Sequence, residues 1–149
     1  ELINLRKKWK QEGKKVVFTN GCFDILHLGH IKLFKFAKSL GDILIVGVNS
    51  DSSIKKIKGS KRPIFPLSER LEVLEAIEYI DYLTVFEDET PKRLISLLLP
   101  DVLIKGGDWK PEQVVGKEEV ERAGGRVIIF PYIEGYSSSN IIERILKSF

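Results

Sequence analysis

Apolar positions along the chain switch between two rhythms: short unbroken runs, and stripes spaced three and four residues apart. Leu2, Ile3, Leu5 and Trp9 fall at helical spacing before Gly13, which predicts a short amphipathic helix closed by a glycine and covering one edge of a sheet. Val16, Val17 and Phe18 form a continuous apolar run ending at Asn20-Gly21, the pattern of a strand buried on both faces. From His27 a wide helical stripe of Ile31, Leu33, Phe34, Phe36, Ala37 and Leu40 runs to Gly41, and residues 42–48 make a second buried strand. That order is a βαβ unit, whose strands are parallel and whose crossover is right-handed.

Residues 49–65 break the rhythm: they are polar and rich in Ser, Lys and Gly, which predicts a long functional loop. Leu67, Leu71, Leu74, Ile77 and Ile80 then mark a helix, residues 82–86 a strand, and Pro91 opens a helix through Leu99. Residues 102–104 form a strand that empties into Lys105-Gly106-Gly107-Asp108-Trp109, residues 118–123 a short helix, 126–130 the last strand and 141–146 the last helix. Five strands alternating with helices predict an α/β fold, a Rossmann-like three-layer sandwich around a five-stranded parallel sheet, as one domain over residues 1–149. Ligands of such sheets bind beyond the carboxyl ends of the strands. Both glycine turns, at Gly21 and at Gly106-Gly107, fall on that edge.

Composition removes several classes of function. With 43% apolar and 30% charged residues the chain reads as an ordinary globular protein, and a net charge of +3 scattered among acids leaves no nucleic-acid footprint. No stretch has the length and apolarity of a membrane span, and the N-terminus lacks a signal-peptide core, so the cytoplasm is expected. The single cysteine, Cys22, forms no internal disulfide, and with no dedicated base beside it reads as a small buried thiol rather than a nucleophile. The chain begins at Glu1 and contains no Met, as expected of one that has lost its initiator or been cut from a longer protein.

Candidate chemistry concentrates in residues 19–30, TNGCFDILHLGH, which hold the only two histidines of the chain. His27 and His30 admit three readings: metal ligands, a general acid and base, or cationic donors to a phosphate. Metal binding needs further ligands, and no second His or Cys cluster exists. A helix start already offers free N–H groups and a positive dipole, so two imidazoles placed there favour an anion. Gly21 and Gly29 admit close approach of backbone and ligand.

Asn20-Gly21-Cys22-Phe23-Asp24-Ile25-Leu26-His27-Leu28-Gly29-His30 resembles the G-x-F-D-x-x-H-x-G-H signature of the cytidylyltransferase-like nucleotidyltransferases. Val48-Asn49-Ser50-Asp51, Lys58-Gly59 with Arg62-Pro63-Ile64, Ser68-Glu69-Arg70, Lys105-Gly106-Gly107-Asp108 and Glu134-Gly135-Tyr136-Ser137-Ser138 follow in the family's order. Together they most resemble its heptose 1-phosphate adenylyltransferases, although Ser137-Ser138-Ser139 stands where Ser-Thr-Thr is more usual. The resemblance implies transfer of AMP from ATP to D-glycero-β-D-manno-heptose 1-phosphate, giving ADP-heptose and pyrophosphate, a precursor step of lipopolysaccharide core synthesis. It assigns catalysis to His27, His30 and Lys58. It gives nucleotide contacts to Gly21, Cys22, Phe23, Gly29, Arg70, Gly107, Asp108, Ser137, Ser138 and Ser139, and sugar-phosphate contacts to Asp24, Asn49, Asp51 and Lys105. Mg²⁺ is expected to arrive with ATP, without a metal site of the protein's own. The resemblance further implies a homodimer or higher oligomer and a sugar kinase domain, linked or separate. The alternatives are a cytidylyltransferase using CTP and glycerol 3-phosphate or another small phosphate, and a nucleotide-binding sensor without turnover.

Overall fold

The computed structural model describes residues 1–107, 109–131 and 137–149. Its strands are β1 (Val16–Gly21), β2 (Ile43–Asn49), β3 (Tyr82–Phe86), β4 (Val102–Gly106) and β5 (Arg126–Phe130). They form one sheet in the order β3-β2-β1-β4-β5, and every neighbouring pair is parallel. The helices are α1 (Leu2–Gln11), α2 (Leu28–Ser39), α3 (Asp51–Lys58), α4 (Leu67–Glu75), α5 (Lys92–Leu98), α6 (Lys117–Arg122) and α7 (Ser138–Ser148), with a 3-10 turn at Pro111–Gln113. The expected Rossmann-like α/β sandwich is what forms.

The period-two alternation of the strands sorts the core into two layers. Val17 on β1, with Leu44, Val46 and Val48 on β2, meets Leu33, Phe34 and Ala37 of α2 and Leu74 of α4. Val16 and Phe18, facing the other way, join Ile43, Ile45 and Leu103 against Trp9 of α1, Ile95 and Leu98 of α5 and Val120 of α6. Burial on both faces explains why β1 and β2 read as continuous apolar runs. α1 covers a face as well as an edge: Arg6 donates to the Leu98 and Leu99 carbonyls at the end of α5, while the Trp9 ring lies 5.0 Å from Tyr82 on the edge strand β3.

Two expected elements differ. Within the supposed loop 49–65, residues 51–58 are helix α3. Ser50 caps it by accepting the Ser53 N–H, Asp51 lies in its first turn, and Ile54 is fully buried. Only one face of this short helix touches the core, so its composition looks like that of a loop. The helix expected to reach Ile80 ends at Glu75, and Ile77 and Ile80 pack against the core from the turns that follow. Among the described residues no helix is long and apolar enough to cross a membrane.

The sheet order places the topological switch between β1 and β4, because the chain steps outward through β2 and β3 before returning to β4. The carboxyl ends of those two strands are Gly21 and Gly106.

Candidate active site

The turn after β1 is shaped by Phe23, which adopts a left-handed backbone (φ 50°) and folds its ring back over the strand end. A Cβ on Gly21 would lie 2.9 Å from that ring, so glycine is required there. The left-handed conformation costs about 1–2 kcal/mol. It is offset by burial of the ring, 5% exposed, against Phe34 and edge-on to His30 at 5.4 Å.

His27 then caps α2. Its Nδ1 accepts the Gly29 N–H at 3.1 Å, and Nδ1 of His30 accepts the His27 N–H at 3.2 Å. This is a capping box in which imidazoles replace the usual Ser or Thr and Glu. The spacing of three residues therefore has a local cause beyond sharing a helix face. Because both Nδ1 atoms accept, each neutral ring carries its proton on Nε2. The rings stack with centroids 3.9 Å apart. Burial lowers the pKa of His27, and burial, then the nearby His27 and Lys58, lower that of His30 to about 3. The free protein thus presents neutral imidazole donors at neutral pH, not the cationic pair of the sequence reading.

Both rings line a cavity of about 460 Å³ over the switch point. Gly21, Cys22, Phe23, Asp24, Gly29 and Lys58 line it from the β1 side, and Lys105, Gly107 and Trp109 from β4. Ser137, Ser138 and Ser139 close it at the start of α7. Ser137 spends its hydroxyl accepting the Asn140 N–H as the helix cap, and the Ser138 hydroxyl donates to the Ile25 carbonyl over a long 3.5 Å. Gly107 has a φ of +118°, which favours glycine. Asp108 and residues 134–136 lie outside the described residues.

A second cavity of about 440 Å³ adjoins the first. The two share Asn20, Gly21, Cys22, Lys58, Lys105 and Trp109. Lys58 ends α3, and burial lowers the pKa of Lys105, whose Nζ sits 5.0 Å from the centre of the Trp109 ring. Burial holds the Cys22 thiol above its ordinary value despite Lys58 and Arg70, which leaves it a poor nucleophile.

Three residues expected to meet ligands are engaged within the protein. Arg70 is 2% exposed, lines neither cavity, and donates to the carbonyls of Phe65, Cys22 and Asn49 and to Asp51 Oδ1 at 2.7 Å. These bonds tie the turn after β1 and the end of β2 to α4. Asp51 is its partner and also lies outside both cavities. Asp24 borders the first cavity, but its buried carboxylate accepts the N–H groups of Ile64 and Phe65 at 2.8–3.0 Å and stands 3.9 Å from Arg62. It clasps the connection after α3 to the histidine turn. Asn49 lines the second cavity while its amide donates to Ser53 Oγ. The sequence reading missed Asn20, Glu89, Thr90 and Gln113, all in the second cavity. Glu89 and Thr90 follow β3 on the carboxyl edge, a position the switch-point rule could have flagged; Gln113, in the 3-10 turn, carried no signal.

The site's motifs recur in known proteins. A model of the cytidylyltransferase-like family matches residues 18–144. The bifunctional protein HldE of Geobacter metallireducens is 52% identical over 140 residues, covering 94% of this chain and 29% of that protein. HldE of Proteus mirabilis is 51% identical over 138 residues, with 93% and 29% covered. The chain therefore spans under a third of the length of these curated relatives. Among solved structures, the lipopolysaccharide core biosynthesis protein from Thermoplasma volcanium superposes with a TM-score of 0.65 at 31% identity, over 84% of this chain and all of that one. Pantoate-β-alanine ligase from Francisella tularensis, at 18% identity and a TM-score of 0.60 over 97% of this chain and 77% of that one, shares the fold.

Proposed function

The chain belongs to the cytidylyltransferase-like family, and on that premise we propose that it is a nucleotidyltransferase that moves AMP from ATP to D-glycero-β-D-manno-heptose 1-phosphate. The observation that carries the transferase chemistry is the pair of adjoining cavities at the β1–β4 switch point, with imidazole donors in one and two lysines in the wall they share. The choice of heptose rests on the likeness to the HldE proteins and to the lipopolysaccharide core biosynthesis protein.

ATP occupies the first cavity, with its β- and γ-phosphates at Ser138, Ser139 and the N–H groups opening α7. The sugar phosphate occupies the second, its phosphate drawn to Lys58 and Lys105 at the common wall. A phosphate oxygen of the sugar attacks the α-phosphorus, the bond from that phosphorus to the bridging oxygen breaks, and pyrophosphate leaves. The acceptor is already an anion, so the protein supplies positioning and charge stabilisation rather than a nucleophile. The Nε2–H groups of His27 and His30 donate to the nonbridging α-oxygens as charge builds there, held in aim by the capping bonds on Nδ1. Mg²⁺ would arrive on the ATP phosphates and would supply charge neutralisation there. Use of ATP and a sugar phosphate fits a cytoplasmic enzyme. The relatives are named bifunctional and are more than three times as long, which fits a sugar kinase as the companion activity.

The test is pyrophosphate release with Mg²⁺, ATP or CTP, and a panel of sugar and polyol phosphates. Release with ATP and the heptose phosphate is expected. Release with CTP alone would replace the adenylyl assignment with the cytidylyl one, and no release with any pair would leave a nucleotide-binding module.

A further inference from the structure

The second cavity is polarised along its length. Its two cations, Lys58 and Lys105, sit in the wall shared with the first cavity, whereas Glu89, Thr90 and Gln113 line the second cavity alone and so occupy the side away from ATP. Glu89 is the only acid among the described lining residues. It enters no ion pair among those residues, since the nearby Arg93 is taken by Asp88. Ile57, Leu103, Val114 and Val115 add apolar surface to its lining. Resting on the transferase reading, we infer that Glu89 is a specificity-determining residue: its carboxylate accepts hydroxyl hydrogen bonds at the far end of the sugar and rejects acceptors carrying a second anionic group there.

The chemistry follows from the placement. A ligand that is anionic at one end and rich in hydroxyls at the other matches cations near ATP and a carboxylate opposite them. Hydroxyls donate to a carboxylate through charge-assisted bonds. A second phosphate at that end meets a like charge, and specificity arises from the repulsive contact as much as from the attractive one. The side chain amide of Gln113 has its oxygen engaged by the Lys110 N–H, which leaves its NH₂ group to donate to a sugar hydroxyl.

The test compares the wild type with Glu89→Gln and Glu89→Lys. Calorimetry measures binding of the heptose 1-phosphate, and of the same sugar with a second phosphate at its far end, to protein saturated with a nonhydrolysable ATP analogue. The wild type is expected to prefer the monophosphate by about a hundred-fold. Glu89→Gln should narrow that preference roughly ten-fold and Glu89→Lys abolish or invert it, with affinity for the ATP analogue unchanged. An unchanged preference in both variants overturns the inference, as does a loss of analogue affinity equal to that of the sugar. Glu89 is exposed, so both variants retain the fold, and matching melting temperatures confirm it. A wild type with the expected preference but no pyrophosphate release would refute the transferase reading and leave the selectivity standing; one that binds neither sugar refutes both.

Discussion

Replacing His30 by Gln isolates the energetic consequence of half-burying a neutral imidazole at the head of α2. Gln is the residue that ordinarily completes a capping box at this position, so the bond from the His27 N–H survives the change. In the folded chain the His30 pKa falls from 6.5 to about 3, chiefly through burial and further through His27 and Lys58. The folded value lies below the unfolded one, so between those two pH values the unfolded chain binds a proton that the folded chain does not. Stability therefore falls as the pH falls, by about 1.4 kcal/mol per pH unit once the unfolded imidazole is fully charged. From pH 7 to pH 5 this amounts to about 2 kcal/mol from His30. His27, lowered in the same direction, adds to it. Carboxylates of ordinary pKa titrate mostly below pH 5, and the chain has no third histidine. Urea unfolding followed by circular dichroism at half-unit steps from pH 5 to 7 should show the wild-type decline, a decline shallower by about 2 kcal/mol in His30→Gln, and a nearly flat profile when His27 is replaced as well. A wild type of constant stability over that range, or a His30→Gln variant with the wild-type slope, would refute the assignment of a half-buried neutral donor.

Three further outcomes follow from named contacts. His27→Ala should lower kcat for pyrophosphate release by about a hundred-fold or more while the circular dichroism spectrum is preserved, the loss typical of one preorganised donor to a developing oxyanion. Asp24→Ala strands the Ile64 and Phe65 N–H groups, and urea unfolding should report a loss of about 2–4 kcal/mol. Arg70→Lys cannot serve three carbonyls and a carboxylate with one ammonium; thermal unfolding should give a loss of about 2–4 kcal/mol, with the remaining activity showing an unchanged KM for ATP.

Strands and crossover helices were legible because their signal is burial, and burial writes itself into periodicity. β1 and β2 lie under helices on both faces and therefore appear as unbroken apolar runs. Helix α3 was hidden for the converse reason: with Ile54 its one apolar side chain in the core, eight residues of Asp, Ser, Lys and Ile look like a loop until the Ser50 cap is noticed. The shortening of α4 is likewise invisible to a hydrophobic count, since Ile77 and Ile80 reach the core equally well from turns.

The charged residues mark where such reading stops. Arg70, Lys58 and Lys105 are all cations, and sequence alone gives each an equal claim on a phosphate, as it leaves Asp24 and Asp51 equal candidates for the sugar. What separates them is satisfaction of hydrogen-bonding capacity. The Arg70 guanidinium already meets three backbone carbonyls and a carboxylate, and the Asp24 carboxylate two backbone N–H groups, so a ligand would have to displace bonds that hold the turn together. Lys58 and Lys105 border both cavities, where a bound phosphate adds partners without removing any from the frame. The division is one of engagement: the hydrogen-bonded charges fix the histidine turn and the end of β2, and the two lysines of the shared wall are the ones proposed to meet substrate. A variant in the first set should lower stability before it touches substrate affinity, and one in the second should do the reverse.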